Sequence, residues 1–460
     1  MLGSLDGWAQ GLREAGVEVR SEGAVDLVVA PASAASRALA VGAKALVLEG
    51  RSGRRRLQRA GMWAEALLLR PQAEQPRFLI PLEEREAAAY AIAQWGAGDT
   101  RWRRLRNAVA ARGAAGGMLP ELGPVVAVGT ASGSRRLPYF IHAARSLGLP
   151  SDAGWFMTCG GTDHLSRNVF HVFPRGDDQP AWVLKFARLP GYDEPFRRDE
   201  AGLALAAAAG DAVADRAPRL VGRFEVDSVE ASVETAAPGA RLYAALVAPG
   251  SEAPKLRVIE EIAEWLLTVA RETAAPSERL EAELDRLVRD VVPSWSRYGV
   301  TSELVRTLPP LPAVLQHNDM GCWNIVVGET GFAVVDWESA RRHGLPLWDL
   351  AYVLTDALTT LDGGADGDAL RLLRGESRRS PLLFGWIRRA ADELGIPEDA
   401  VGPIVTLGWL HHGLSLGART GALERMGAGE PVAPALVGRL APIWLADPAL
   451  GVEWRAWTGA

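Results

Sequence analysis

The sequence predicts an α+β chain in three parts: a small α/β domain over residues 1–118, a strand-rich small lobe over 119–245 and a larger helical lobe over 246–460. Three observations carry that division. Short apolar runs alternate with helix-period segments through the first eighty or so residues. Closely spaced strand-like runs joined by turns follow residue 151. Helical periodicity then dominates from residue 255 onward, broken by one polar loop and the strands beside it. A chain of 460 residues can give each part its own core.

In the first part, residues 25–30 and 45–49 read as strands, each followed by a helical segment, 32–41 and 54–60. Strands at 64–69 and 77–80 close the pattern as β-α-β-α-β-β. With Arg59-Ala60-Gly61 as the turn before that closing hairpin, the segment resembles the C-terminal half of a Rossmann-like methyltransferase. No strand with a Gly-rich turn precedes it, so the half that would cradle a cofactor is missing. The resemblance therefore implies a reduced, non-catalytic segment used for docking or pairing. Residues 83–118 are helical in period, with 113–117 as a Gly-rich linker. The strand at 124–128 runs into a glycine-containing turn that lacks the Gly-Lys-Ser/Thr ending of a phosphate loop, and reads as a plain strand-turn.

In the second part, 155–159, 168–173 and 181–186 read as three strands, 197–209 as a helix and 229–235 as a further strand. Lys185 stands out by composition, because the chain uses 47 Arg and only three Lys. A lysine kept on the strand Val183-Leu184-Lys185-Phe186 suggests a task for a compact ammonium rather than a flat guanidinium. In the third part, His317, Asp319 and Asn324 sit in a Gly-containing loop between apolar runs. Twelve residues after Asn324, Asp336 ends a second apolar strand. Phosphoryl transfer needs such a layout: one carboxylate to take the proton of a hydroxyl, and an Asn and a second Asp to hold Mg²⁺ against a triphosphate.

The H-x-D-x-x-x-x-N spacing with its later aspartate resembles the protein-kinase-like superfamily. Asp336-Trp337-Glu338 followed by Leu347-Trp348-Asp349-Leu350 looks most like its aminoglycoside phosphotransferase and choline kinase branch. The resemblance implies a bilobal kinase-like fold behind the small α/β domain, with ATP and Mg²⁺ as cofactors. It implies Asp319 as the catalytic base, Asn324 and Asp336 as metal ligands, and His317 and Asp349 as structural support for the loop. It gives Lys185 the α/β-phosphates and Glu200 the role of its helix partner, with Asp199 and Glu194 as rivals. The turn bearing Gly160, Gly161 and Ser166 would cover the phosphates, and the backbone of Glu234, Thr235 and Ala236 would read adenine. Two departures stand out: Asn318 where the family usually has Gly, and Cys322-Trp323 in place of its usual filler.

Charge and composition narrow the partners. Net charge is −6, with residues 1–150 basic and 151–460 acidic, which argues against a nucleic-acid substrate and suits a neutral or cationic small molecule. Two cysteines are too few for a disulfide framework. Residues 1–16 lack the basic start and apolar stretch of a signal peptide, and the longest apolar tract, 201–210, is about half a membrane span. A cytoplasmic protein without membrane partners is expected. The leading expectation is transfer of the γ-phosphate to a hydroxyl of a sugar, amino sugar, aminoglycoside or amino alcohol. The alternatives are a kinase acting on Ser or Thr of a natural-product precursor peptide, and a catalytically silent scaffold.

Overall fold

The computed structural model describes residues 27–31, 45–49, 52–70, 78–95, 101–117, 125–130, 137–159, 167–188, 190–363 and 366–420. The helix expected over 32–41 and the turn with Gly160, Gly161 and Ser166 lie outside the described residues. Contacts divide the chain into two units. The first is Met1–Phe196 with Arg219–Pro238, and the second is Arg197–Pro218 with Gly239–Ala460. The first is sheet-rich and the second helix-rich, the division expected of an α+β kinase-like chain.

The first unit is built on one ten-stranded sheet. Its strands are β1 (Leu27–Pro31), β2 (Ala45–Glu49), β3 (Trp63–Arg70), β4 (Phe78–Pro81), β5 (Val125–Thr130), β6 (Gly154–Cys159), β7 (Asn168–Phe173), β8 (Trp182–Phe186), β9 (Leu220–Val226) and β10 (Val229–Thr235). They lie side by side in the order β1-β2-β5-β3-β4-β6-β7-β8-β10-β9. β1 and β2 are parallel, and β5 runs antiparallel between β2 and β3. Antiparallel pairing of Phe78 with Thr158 and Leu79 with Met157 joins β4 to β6, so the sheet continues across the boundary expected at residue 118.

Strand alternation explains why the join holds. Successive side chains of a strand point to opposite faces. Leu67, Val126, Trp155, Phe170, Val172, Leu184 and Val233 fill a core on one face. Their neighbours Ala66, Leu68, Val125, Phe156 and Phe173 fill the core on the other. Helices α1 (Ser52–Arg59), α2 (Arg85–Trp95) and α3 (Arg101–Ala115) precede β5 in the chain, and Ala87, Ala88, Ala91, Ala110 and Ala114 of α2 and α3 complete the second core. Both cores therefore draw on strands from each side of residue 118. β9 is absent from the sequence reading because it is an edge strand with no buried residue, so its apolar alternation is weak.

In the second unit, α4 (Glu194–Ala208) contributes its residues from Arg197 on, and α5 (Leu242–Val247) is short. The helical run expected over 255–307 is one long helix, α6 (Glu252–Thr273), followed by short helical turns. Pro276 and Pro293 lie in that broken stretch, where a ring without an N–H cannot continue an α-helix. Then come β11 (Ala240–Arg241), which precedes α5 in the chain, β12 (Val314–Gln316), β13 (Ile325–Gly328), β14 (Gly331–Val334) and β15 (Arg341–Gly344). Helices α7 (Trp348–Leu361), α8 (Asp366–Leu373), α9 (Ser380–Leu394) and α10 (Glu398–Thr420) complete the described residues. Among these, no helix is long and apolar enough to cross a membrane.

The shared cores make a prediction. A chain starting at residue 119 leaves Phe156 and Phe173 without Leu68, Ile80 and the helix alanines that bury them, so it should aggregate or lose its cooperative thermal transition. A soluble 119–460 chain that melts like the full protein would contradict the shared core.

Candidate functional site

β12 carries the chain into the polar loop, and its three residues are all buried. At its end the loop is held by α7. Asp349, in the first turn of that helix, accepts hydrogen bonds from the backbone N–H of His317 at 2.6 Å and of Asn318 at 2.9 Å. Two helical turns on, Asp356 accepts from the N–H of Cys322 at 2.7 Å. Seven-residue spacing puts both carboxylates on one face of α7, and that face clamps the loop at both ends. Burial pushes the carboxyls of Asp349 and Asp356 above the usual range, against the pull of these hydrogen bonds. Burial, with Asp356 beside it, also pushes the Cys322 thiol well up.

His317 acts inside this frame as a neutral brace. Its Nε2 lies 3.0 Å from the Val335 carbonyl oxygen, and its Nδ1 accepts from the Asp319 N–H at 3.3 Å. Those contacts require the tautomer with hydrogen on Nε2. Burial lowers its pKa, which favours that uncharged ring. The imidazole stands edge-on to Trp337 at 4.8 Å, and Trp337 is itself buried.

The turn from Asp319 to Asn324 is tight. Asn324 Nδ2 donates to the Asp319 backbone carbonyl at 2.8 Å and to its Oδ2 at 3.0 Å. The Asn324 N–H donates to Gly321 O at 2.9 Å. With Nδ2 so used, Asn324 Oδ1 is the atom left to face a cation. Strands β13 and β14 pair Ile325 with Val334, and the Val335 N–H reaches Asn324 O at 2.8 Å. Asp336 follows directly, so one hairpin sets both oxygen donors beside the turn. Asp319, Asn324 and Asp336 are all half-buried. Among the described residues no group of three His, Cys, Asp or Glu side chains could hold a metal unaided. One amide and one carboxylate oxygen fit magnesium, which keeps waters and takes further ligands from phosphate.

Backbone strain collects here. Asn318, Asp336 and Leu347 have φ of 68°, 68° and 64°, in the left-handed region that side chains seldom enter. Asn318 suits this conformation, since Asn tolerates that region better than most residues. Its Nδ2 also donates to Ser339 O at 3.3 Å.

Two contributors went unread in the sequence. Asp356 was one, and the only signal for it was its heptad spacing from Asp349. Gly202 on α4 was the other. A Cβ there would lie 1.9 Å from the Trp337 carbonyl oxygen, so only glycine lets the helix approach the segment after Asp336. On the same helix Glu200 is exposed, whereas its neighbour Asp199 is buried. Glu200 was expected as the helix partner of Lys185, with Asp199 as a rival; of the two, Asp199 is the buried one.

The first unit holds the other expected residues. Lys185 on β8 is buried, and its Nζ lies 3.1 Å from Glu234 Oε1, a partner the sequence did not suggest for it. The register explains the pair: Lys185 faces Ser232 and Val183 faces Glu234, so all four share a face opposite Leu184 and Val233. Removing either charge would leave the other buried, at a cost of about 3–5 kcal/mol. In the stretch whose backbone was expected to read adenine, the N–H groups of Thr235 and Ala236 donate to Arg219 O at 2.9 Å and Ala181 O at 2.8 Å.

Residues 164–382 match the family model described as phosphotransferase enzyme family. Among solved structures, the chain is similar to aminoglycoside phosphotransferase APH(4)-Ia in ternary complex with ADP and hygromycin B. Identity is 17%, over 67% of this chain and 99% of that one, with a TM-score of 0.39. An aminoglycoside-3'-phosphotransferase of type VIII is 18% identical over 60% of this chain and 100% of its own, at a TM-score of 0.38. Aminoglycoside phosphotransferase APH(3'')-Id from Streptomyces rimosus is 17% identical over 58% and 97%, at 0.33. No curated protein sequence matches the chain.

Two measurements check this frame. Asn318→Gly should keep the melting temperature within a few degrees, whereas Asn318→Val should cost about 1–3 kcal/mol of stability, read by thermal melting. The second concerns His412 on α10, which stacks on Tyr352 at 3.9 Å and accepts from Trp348 Nε1 at 3.3 Å. Burial lowers its pKa from 6.5 to about 3. The unfolded chain therefore binds the extra proton, and the stability present above pH 6.5 is lost as pH falls toward 3. The wild type should lose up to about 1.4 kcal/mol more per pH unit than His412→Phe in that window, by urea midpoints. Equal slopes would place His412 in water.

Proposed function

From the premise that residues 164–382 are a phosphotransferase-family segment, we propose that the chain moves the γ-phosphoryl group of ATP to a hydroxyl of a small molecule. Sugars, amino sugars or aminoglycosides, and amino alcohols are the acceptor classes. One observation carries the reading: Asn324 Nδ2 fixes the Asp319 carboxylate at 3.0 Å, while the hairpin sets Asp336 beside Asn324. The general base and the metal donors would thus be held by one turn and the hairpin that follows it.

Asp319 orients the acceptor hydroxyl and takes its proton as the new O–P bond forms. The hydrogen bond from Asn324 Nδ2 to Oδ2 of Asp319 orients the carboxylate for that task. Asn324 Oδ1 and the Asp336 carboxylate would hold Mg²⁺, whose contribution when bound is positive charge against the phosphate oxygens. His317 stays neutral and moves no proton; it holds the Asp319 N–H and Val335 O in register. On the first unit, Lys185 is the ammonium for the α/β-phosphates, aimed by Glu234 rather than left to rotate.

The test is transfer of labelled γ-phosphate from ATP across a panel of amino sugars and amino alcohols. Asp319→Ala should lower turnover about 10²–10⁴-fold with the melting temperature preserved. Turnover that survives Asp319→Ala would overturn the assignment, and turnover restricted to a precursor peptide would move the acceptor to Ser or Thr.

A further inference from the structure

Trp323 is the large apolar side chain that the loop leaves in water. It is 57% exposed, although its neighbours Cys322 and Ile325 are fully buried. Exposing so much indole forfeits burial that a loop of this rigidity could have supplied. Nor is the ring loose. It stacks on Tyr243 of α5, with centroids 4.6 Å apart and planes 19° from parallel. The Tyr243 N–H donates to Cys322 O at 3.2 Å, and Cys322 is held from the other side by Asp356. After Trp323 the chain is fixed by the Asn324 bonds to Gly321 and Asp319. A rigid aromatic pair, with the indole largely open, therefore stands within the turn that carries the general base.

Such a pair is preorganised: covering it costs little side-chain entropy and gains apolar burial and stacking. The carboxylates beneath the loop offer no rival recognition, because Asp349 and Asp356 are both committed to loop N–H groups. We propose that Tyr243 and Trp323 form an aromatic platform that receives a flat, apolar ring face of the phosphate acceptor. The acceptor is then a hydroxylated molecule bearing such a ring, selected by stacking. This rests on the phosphotransferase reading for its role in the reaction, but not for the binding itself.

The test uses protein labelled with 5-fluorotryptophan, with the Trp323 fluorine resonance assigned from Trp323→Phe. Phenyl β-D-glucoside and methyl β-D-glucoside serve as probes with the same ring hydroxyls. The phenyl probe should shift the Trp323 resonance saturably and bind about fivefold or more tighter than the methyl probe, the worth of one aromatic pair. Tyr243→Ala, checked by thermal melting, should reduce that preference. A Trp323 resonance that the phenyl probe leaves unmoved overturns the platform. The readout needs no ATP. An unmoved resonance beside Asp319-dependent turnover sinks the platform alone. A shifted resonance in a chain that transfers no phosphate upholds the platform and sinks the transfer reading.

Discussion

The buried Asp349 carboxylate is the constraint from which the loop takes its shape. It receives two consecutive backbone N–H groups, of His317 and Asn318, that would otherwise be orphaned away from water. Receiving both at once requires the chain to turn sharply between them, and Asn318 meets that demand in the left-handed region. The turn sends Asp319 outward to half-exposure while His317 stays inside against Trp337 and Val335 O. A helix is thus the anvil on which the loop is bent, and the helix is itself packed: most of α7 is buried.

The cost of this arrangement is visible in its charges. Asp349 and Asp356 are carboxylates that burial would rather neutralise, and His317 and His412 are imidazoles that burial keeps uncharged. The local hydrogen bonds offset that cost by satisfying each group. Rigidity is the return: Asp319, Asn324 and Asp336 are held in place before any ligand arrives, which in the proposed reaction would lower reorganisation. Gly202 serves the same end from α4, since its missing side chain is what lets the helix reach the Trp337 backbone.

Much of this was legible in the sequence, because spacing in a tight loop is a local property. His317, Asp319 and Asn324 share one hydrogen-bonded loop, and the hairpin after it leads to Asp336, as their intervals suggest. Long-range geometry was less legible. The Lys185–Glu234 pair depends on the register between β8 and β10, which no local pattern encodes. Glu200 and Asp199 differ by one residue on a helix, a 100° rotation that periodicity alone did not resolve. The junction of β4 with β6 was hidden for the same reason: Phe78 and Leu79 read as ordinary strand residues until their partners, Thr158 and Met157, are known.

The most direct measurement of the central claim, that one braced turn holds a general base beside two metal donors, is Mn²⁺ binding in the presence of ADP, followed by electron paramagnetic resonance. A single ADP-dependent site that weakens at least about tenfold in both Asn324→Ala and Asp336→Ala is the predicted result. Mn²⁺ binding that neither substitution alters would contradict it.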